Sequence, residues 1–226
     1  MLPAFADLAA PRPGSLSDAA LYLGQLLHEA APGVEIAAIA RRPGVLSKVA
    51  VIGDLGADIV ATVRKQLDGE RIDVVGWSAD PRRYIADALG MGEVPPMVLK
   101  PLISHVHVLV GEIDLLGMNG WRGLNRLLAS SLTGWRIHLQ PIASSPAWAL
   151  LESAYASRHP LAASVVELTP HRARLDIHGL FAWLQRPTGL AVGSELQVRV
   201  TRLDPDEGRI FVSRRLAPTG QLSLPG

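Results

Sequence analysis

The chain has 226 residues, is 48% hydrophobic and 19% charged, and sets 22 Lys+Arg against 21 Asp+Glu for a net charge of +1. That length supplies one large domain or two to three small ones, and the balanced charge argues against strong nonspecific nucleic-acid binding, which rests on a basic excess. The lack of cysteine excludes disulfides, thiolate zinc sites and thiol nucleophiles.

The N-terminus has no basic segment followed by an apolar run, so no signal peptide is expected. No stretch of about 18 apolar residues predicts a transmembrane helix. A cytoplasmic, membrane-free protein is the default expectation.

Residues 1–15, with three prolines and a glycine, read as a flexible lead. Leu16 to Ala31 predicts a helix capped by Ser17, with Leu21, Leu23, Leu26, Leu27 and Ala30 on its apolar face. Strands follow over Val34–Ala40 and Val45–Ile52, separated by the turn Arg41-Arg42-Pro43-Gly44. Gly53-Asp54-Leu55-Gly56 opens a helix to about Leu67, with Ile59, Val60, Val63 and Leu67 inward, and Arg71–Trp77 is a strand. Ser78 is the expected N-cap of a helix with Pro81 early in it, ending near Leu89.

Strands are expected near Met97–Leu99 and His105–Val110, then a second Gly-x-x-Gly loop, Gly120-Trp121-Arg122-Gly123. The loop opens an apolar helix that stops at Gly134, before strand Trp135–Leu139. Residues 48–75 and 105–139 therefore read as two divergent copies of one unit. Beyond a linker lies a short helix, Pro146–Ala156. Five short strands then fall at Ala162–Glu167, Arg172–Ile177, Leu180–Leu184, Glu195–Leu203 and Arg209–Ser213, a pattern that suits an OB-type barrel. The tail from Ala217 reads as flexible.

A Gly-x-x-Gly loop at a helix start brings backbone N–H groups and an arginine to a sugar-phosphate backbone, as KH modules do when they clamp about four nucleotides. Gly120, Arg122, Gly123, Asn125 and the closing Leu132-Thr133-Gly134-Trp135 resemble the second KH domain of the NusA family of transcription termination and antitermination factors. Trp121 and Leu124 depart from the residues usual in that family, and Trp121 either stacks on a base or covers apolar surface. Val34 to Gly44, Ser47 to Val51 and Asp68 to Leu89 resemble the family's first KH domain. The loop between them is shortened and carries Asp54, which repels phosphate, so it reads as degenerate. Val192-Gly193, the acidic turn Asp204–Gly208 and Ile210 to Arg215 resemble an S1-type domain. Phe181 and Trp183, alternating on one strand, belong either to its stacking platform or to the barrel interior.

The resemblance implies an α+β fold with two tandem type II KH domains followed by a five-stranded S1-type OB barrel. The boundaries expected are 16–93 for the first KH domain, 94–142 for the second, 143–160 for the linker, 161–216 for the barrel and 217–226 for the tail. The order differs from the family's, which sets its S1-type domain before the KH pair and a polymerase-binding domain before both. The implied function is non-enzymatic binding of single-stranded transcript RNA in elongation, termination or antitermination, with RNA polymerase or other transcription factors as further partners and no cofactor. The expected RNA contacts are Gly120, Trp121, Arg122, Gly123, Asn125, Arg126, Phe181, Trp183 and Arg214. The alternative is a KH/OB scaffold that docks on polymerase or a ribosomal particle with little RNA binding of its own. His105 and His107 share a sheet face, but no third ligand is evident in the sequence, so a structural role is expected and no metal site.

Overall fold

The computed structural model describes residues 18–214. The predicted lead at 1–15, the Ser17 cap, Arg215 and the tail at 217–226 lie outside the described residues. The described residues divide into two compact units, 18–108 with Leu115–Leu139, and Leu109–Asp114 with 140–214.

The first unit opens on helix α1 (Asp18–Ala30). Its buried stripe is Ala20, Leu23 and Leu27, the three-to-four spacing of a helix face. Leu21 and Ala30, expected on that face, are exposed instead, because the stripe runs through Ala20 one position earlier. Strand β1 (Glu35–Arg42) pairs antiparallel with β2 (Leu46–Ile52), so the turn is tighter than predicted and centres on Pro43-Gly44. Helix α2 (Ala57–Gln66) then carries the chain to β3 (Arg71–Gly76), which lies parallel to β2. As the central strand, β2 is buried everywhere except Ile52, and Leu23, Leu27, Val49, Val51, Val63 and Ile72 fill the core beside it.

Two polar residues are buried on β2, Ser47 and Lys48. The chain meets their hydrogen-bonding needs from β3 and the turn before it. Glu70 takes both prongs of the Arg41 guanidinium at 2.9 Å, the Ser47 hydroxyl at 2.6 Å and the Gly44 N–H at 2.7 Å. Lys48 donates to Asp73 at 3.0 Å.

Helix α3 (Pro81–Leu89) is capped by Asp80, which accepts from the Arg82 N–H at 2.9 Å, and not by Ser78. The Ser78 hydroxyl accepts from Asp80 N–H and so orients the cap itself. A second sheet follows in the order β4 (Met97–Lys100), β5 (His105–Val110), β6 (Arg136–Pro141). Between β5 and β6 lie two helices, α4 (Glu112–Asn119) and α5 (Leu124–Thr133), with the Gly120 loop joining them.

Sequence periodicity gave no sign of α4. None of its side chains is buried, and Ile113 and Leu116 stand exposed, so it has no apolar stripe to read. The two repeat copies therefore share a strand-helix-strand plan and differ by this added helix. Tyr84 of α3 ties the helices together by donating its hydroxyl to the Leu132 carbonyl at 3.2 Å.

In the second unit α6 (Pro146–Ser157) is capped by Ser145 and sets Trp148 and Leu151 into the barrel core. The barrel strands are β7 (Leu161–Leu168), β8 (Arg172–Ile177), β9 (Leu180–Gln185), β10 (Glu195–Asp204) and β11 (Arg209–Arg214). They close in the order β10-β11-β9-β8-β7, and β7 pairs back to β10. Only the β9–β11 pairing is parallel. This is the five-stranded OB arrangement, and the predicted α+β fold class with a terminal OB barrel is the one observed. Among the described residues no helix is long and apolar enough to cross a membrane.

Candidate nucleic-acid interface

The second Gly-x-x-Gly loop has an unusual backbone. Gly120 (φ 70°), Arg122 (φ 51°) and Gly123 (φ 75°) all lie in the left-handed region, and the Gly123 N–H closes the turn on the Gly120 carbonyl at 3.1 Å. Arg122 is not a glycine, and holding it there costs about 1–2 kcal/mol. Strain of this kind persists where the surroundings fix it and clusters at functional sites. The two glycines have different reasons to be glycine. A Cβ on Gly120 would lie 2.8 Å from the Asn125 Cβ and 3.2 Å from its backbone nitrogen, whereas a Cβ on Gly123 would meet nothing nearer than 3.5 Å.

Asn125 and Arg126 are the clamps that hold this shape. The Asn125 side-chain amide donates to the Met118 carbonyl at 2.7 Å and to the Leu89 carbonyl at 3.2 Å. Arg126 donates to Asn119 Oδ1 at 3.1 Å and to the Ile137 carbonyl at 3.2 Å. Of the loop residues expected to touch RNA, these two therefore turn donors inward and position the loop. Trp121 and Arg122 point out. Trp121 is 69% exposed, and the Arg122 guanidinium lies 4.7 Å from the centre of its ring.

Beside the loop is a groove of about 350 Å³. Gly120, Trp121, Leu124 and Asn125 form one wall, and Val45, Leu46, Arg71 and Asp73 form the other. Asp73 is paired with two cations, Lys48 at 3.0 Å and Arg71 at 2.8 Å, so the Lys48-Arg71-Asp73 cluster keeps a net positive charge. Burial pushes the Lys48 amine below its ordinary pKa of 10.5, while Asp73 works against that shift. Sequence reasoning missed Arg71, because no local pattern links a strand start to a loop some fifty positions later.

The first Gly-x-x-Gly segment is built otherwise. Gly53 has a positive φ but Gly56 does not (φ −56°), and Leu55 between them is buried in the core of its unit. Asp54 is exposed.

On the barrel, Leu180, Ala182 and Leu184 fill the interior, so Phe181 and Trp183 stand on the outer face, each half-buried. Register places Trp183 beside Arg174 on β8 and Phe211 on β11. Guanidinium groups lie over these rings, Arg172 at 4.1 Å from Trp183, Arg174 at 3.9 Å from Phe181 and Arg202 at 5.6 Å from Phe211. Each such contact is worth about 0.5–1 kcal/mol at an exposed site. Phe211 was missed in the sequence, although its alternation with inward Ile210 and Val212 marks it as outward. Arg214 donates to the Thr188 carbonyl at 3.1 Å.

No family model matches the chain. Curated relatives do, among them "Transcription termination/antitermination protein NusA" from three organisms. The protein of Halalkalibacterium halodurans is 34% identical over 141 residues, 57% of this chain and 37% of that one. That of Thermus thermophilus is 37% identical over 131 residues, 52% and 34% of the two chains. That of Mycobacterium bovis is 36% identical over 127 residues, 50% and 36%. The chain is thus NusA-like over about half its length, and the match spans about a third of each of these relatives. Among solved structures, APE1850 aligns with 55% of this chain and all of its own, at 19% identity and a TM-score of 0.42.

Proposed function

We propose that this NusA-like chain is a non-enzymatic factor that binds single-stranded transcript RNA in transcription elongation, termination or antitermination. The single observation that carries the reading is the Gly120–Gly123 loop. It has three left-handed residues, two side-chain clamps behind it, and an exposed tryptophan-arginine pair in front. A fixed loop of this kind contacts a nucleic-acid backbone without paying to order itself on binding. Arg122 supplies charge for phosphate, Trp121 a ring for a base, and the groove toward Arg71 continues the path. Phe181, Trp183 and Arg214 on the barrel form a second, separate contact. RNA polymerase and other transcription factors are the protein partners that the likeness to NusA implies, and the cytoplasm is the location it implies.

Photo-crosslinking tests the assignment. RNA carrying 4-thiouridine should form adducts that map to the segment from Gly117 to Arg126. Adducts confined to other segments would overturn the loop assignment.

A second reading is a scaffold that docks on a protein such as polymerase or a ribosomal particle. The net charge of +1 and the exposed Leu116 favour it. It predicts no adducts at all, and co-purification with a protein partner.

A further inference from the structure

The sheet β4-β5-β6 carries a second cluster of rings and cations, apart from the Gly120 loop. Its inward residues, Met97, Val106, Val108 and Ile137, are buried. Strand alternation turns the others to the opposite face. Within the first unit those are Val98 and Lys100 on β4, His105 and His107 on β5, and Arg136 and His138 on β6, while Leu109 on β5, of the same alternation, is buried. Register sets Val98 beside His107 and Lys100 beside His105. His107 and His138 stack with centroids 5.3 Å apart and planes 21° from parallel, and His105 meets His138 at 5.5 Å. A third histidine is therefore present, which the sequence did not reveal. The rings lie against one another, and among the described residues no group of three His, Cys, Asp or Glu is arranged to hold a metal.

We propose that this sheet face is a further contact for single-stranded RNA, in which the imidazoles take bases on their ring faces and Lys100 and Arg136 take the adjoining phosphates. The proposal rests on the reading of the chain as an RNA binder, but it uses different residues. Within the first unit, three rings and two permanent cations share the face with one aliphatic side chain, Val98, and no carboxylate. Rings with flanking cations are the composition that binds single strands without sequence preference. A protein-docking face of this size calls for more apolar area at its centre.

Protonation tunes the face. Partial burial, then Arg136, Lys100 and His107, hold the His105 ring below the ordinary histidine value of 6.5. Partial burial, then His107, His105, Arg126 and Arg136, do the same for His138. The charged groups facing these rings are thus Lys100 from β4, Arg136 from β6 and Arg126 from α5. The rings of His105 and His138 are neutral stacking surfaces at neutral pH and gain charge on acidification, so affinity at this face should rise as pH falls.

The test is an NMR titration of the full chain with an oligouridylate of about eight nucleotides, long enough for one such site. The histidine ring signals are followed in the wild type and in Gly123→Asp. The expected result is that the His107 and His138 signals move in both proteins, and that the movement at His138 grows as pH is lowered from 8. The double variant His107→Ala/His138→Ala should bind the oligonucleotide about tenfold more weakly than wild type. Movement of these signals combined with RNA affinity unaffected by Gly123→Asp would sink the loop reading and leave the sheet face standing. Motionless histidine signals while the RNA binds elsewhere would overturn the sheet face and spare the loop. Equal movement on adding polyglutamate would also overturn it, in favour of an acidic peptide.

Discussion

Asn125 donates its side-chain amide to the carbonyl of Leu89 at 3.2 Å, across 36 positions of sequence. Leu89 ends α3, and Asn125 lies in the first turn of α5, directly after the Gly-x-x-Gly loop. The same amide also reaches Met118 at the end of α4. One side chain thus fastens three helix ends around the loop. Asn125→Ala should cost about 1–2 kcal/mol, the usual loss when buried hydrogen-bond partners are stranded. Asn125→Asp should cost more, because a carboxylate cannot donate to two carbonyls. Urea denaturation of the three proteins measures the difference, and equal stability of the Ala and Asp forms would contradict the assignment.

The two loop glycines should separate in a thermal melt. Gly120→Ala forces its Cβ to 2.8 Å from the Asn125 Cβ and should lower the unfolding midpoint by several degrees. Gly123→Asp meets no such obstacle, and aspartate tolerates the left-handed region better than most residues. It should lose about 1 kcal/mol to its left-handed backbone, less than Gly120→Ala loses, while placing a carboxylate where a phosphate is expected. A Gly123→Asp protein as unstable as Gly120→Ala would show that both glycines serve packing alone.

How far sequence sufficed depended on whether the signal was local. The Gly134 stop, the α3 segment with Pro81 early in it, the barrel strands and their turns were legible, because glycine, proline and strict alternation act within a few residues. Helix α4 was not, since it buries nothing and so shows no periodic stripe. Asn125 and Arg126 looked like contacts because they flank the loop. Their inward roles depend on Leu89 and Ile137, which only tertiary folding brings near. The alternatives for Phe181 and Trp183 were equal in sequence, because alternation tells which residues share a face but not which face is outside. Barrel closure settles it by burying Leu180, Ala182 and Leu184.

Glu70 should control the acid stability of the first unit. Burial pushes its carboxyl up, but hydrogen bonds from Arg41, Ser47 and the Gly44 N–H outweigh that and leave it below the ordinary value of 4.5. A carboxyl with a depressed folded pKa stabilises the fold fully above its unfolded value. That contribution is lost as pH falls from 4.5 through the folded pKa. Glu70→Gln should destabilise the protein by about 3 kcal/mol near pH 7, because it leaves the buried Arg41 guanidinium without its partner charge. The gap between variant and wild type should narrow below pH 4.5. A gap that stays constant with pH would remove the ionised carboxylate from the account.

On the barrel, Trp183→Ala should weaken binding of single-stranded RNA by about tenfold, the usual cost of losing one stacked base. The barrel should stay folded, because the side chain stands on the outer face while Ala182 and Leu184 fill the interior. Unchanged affinity would mean that the guanidinium-covered ring is structural decoration on the barrel wall. Circular dichroism checks that the fold survives.

The most direct test of the central claim is fluorescence anisotropy of a labelled single-stranded RNA, titrated with wild type and with Gly123→Asp at low and moderate salt. The account predicts wild-type affinity that falls as salt rises, through release of counterions from the phosphates. It also predicts at least a tenfold loss in the variant at either salt. Equal affinity of the two proteins, or no wild-type binding at protein concentrations of tens of micromolar, would contradict it.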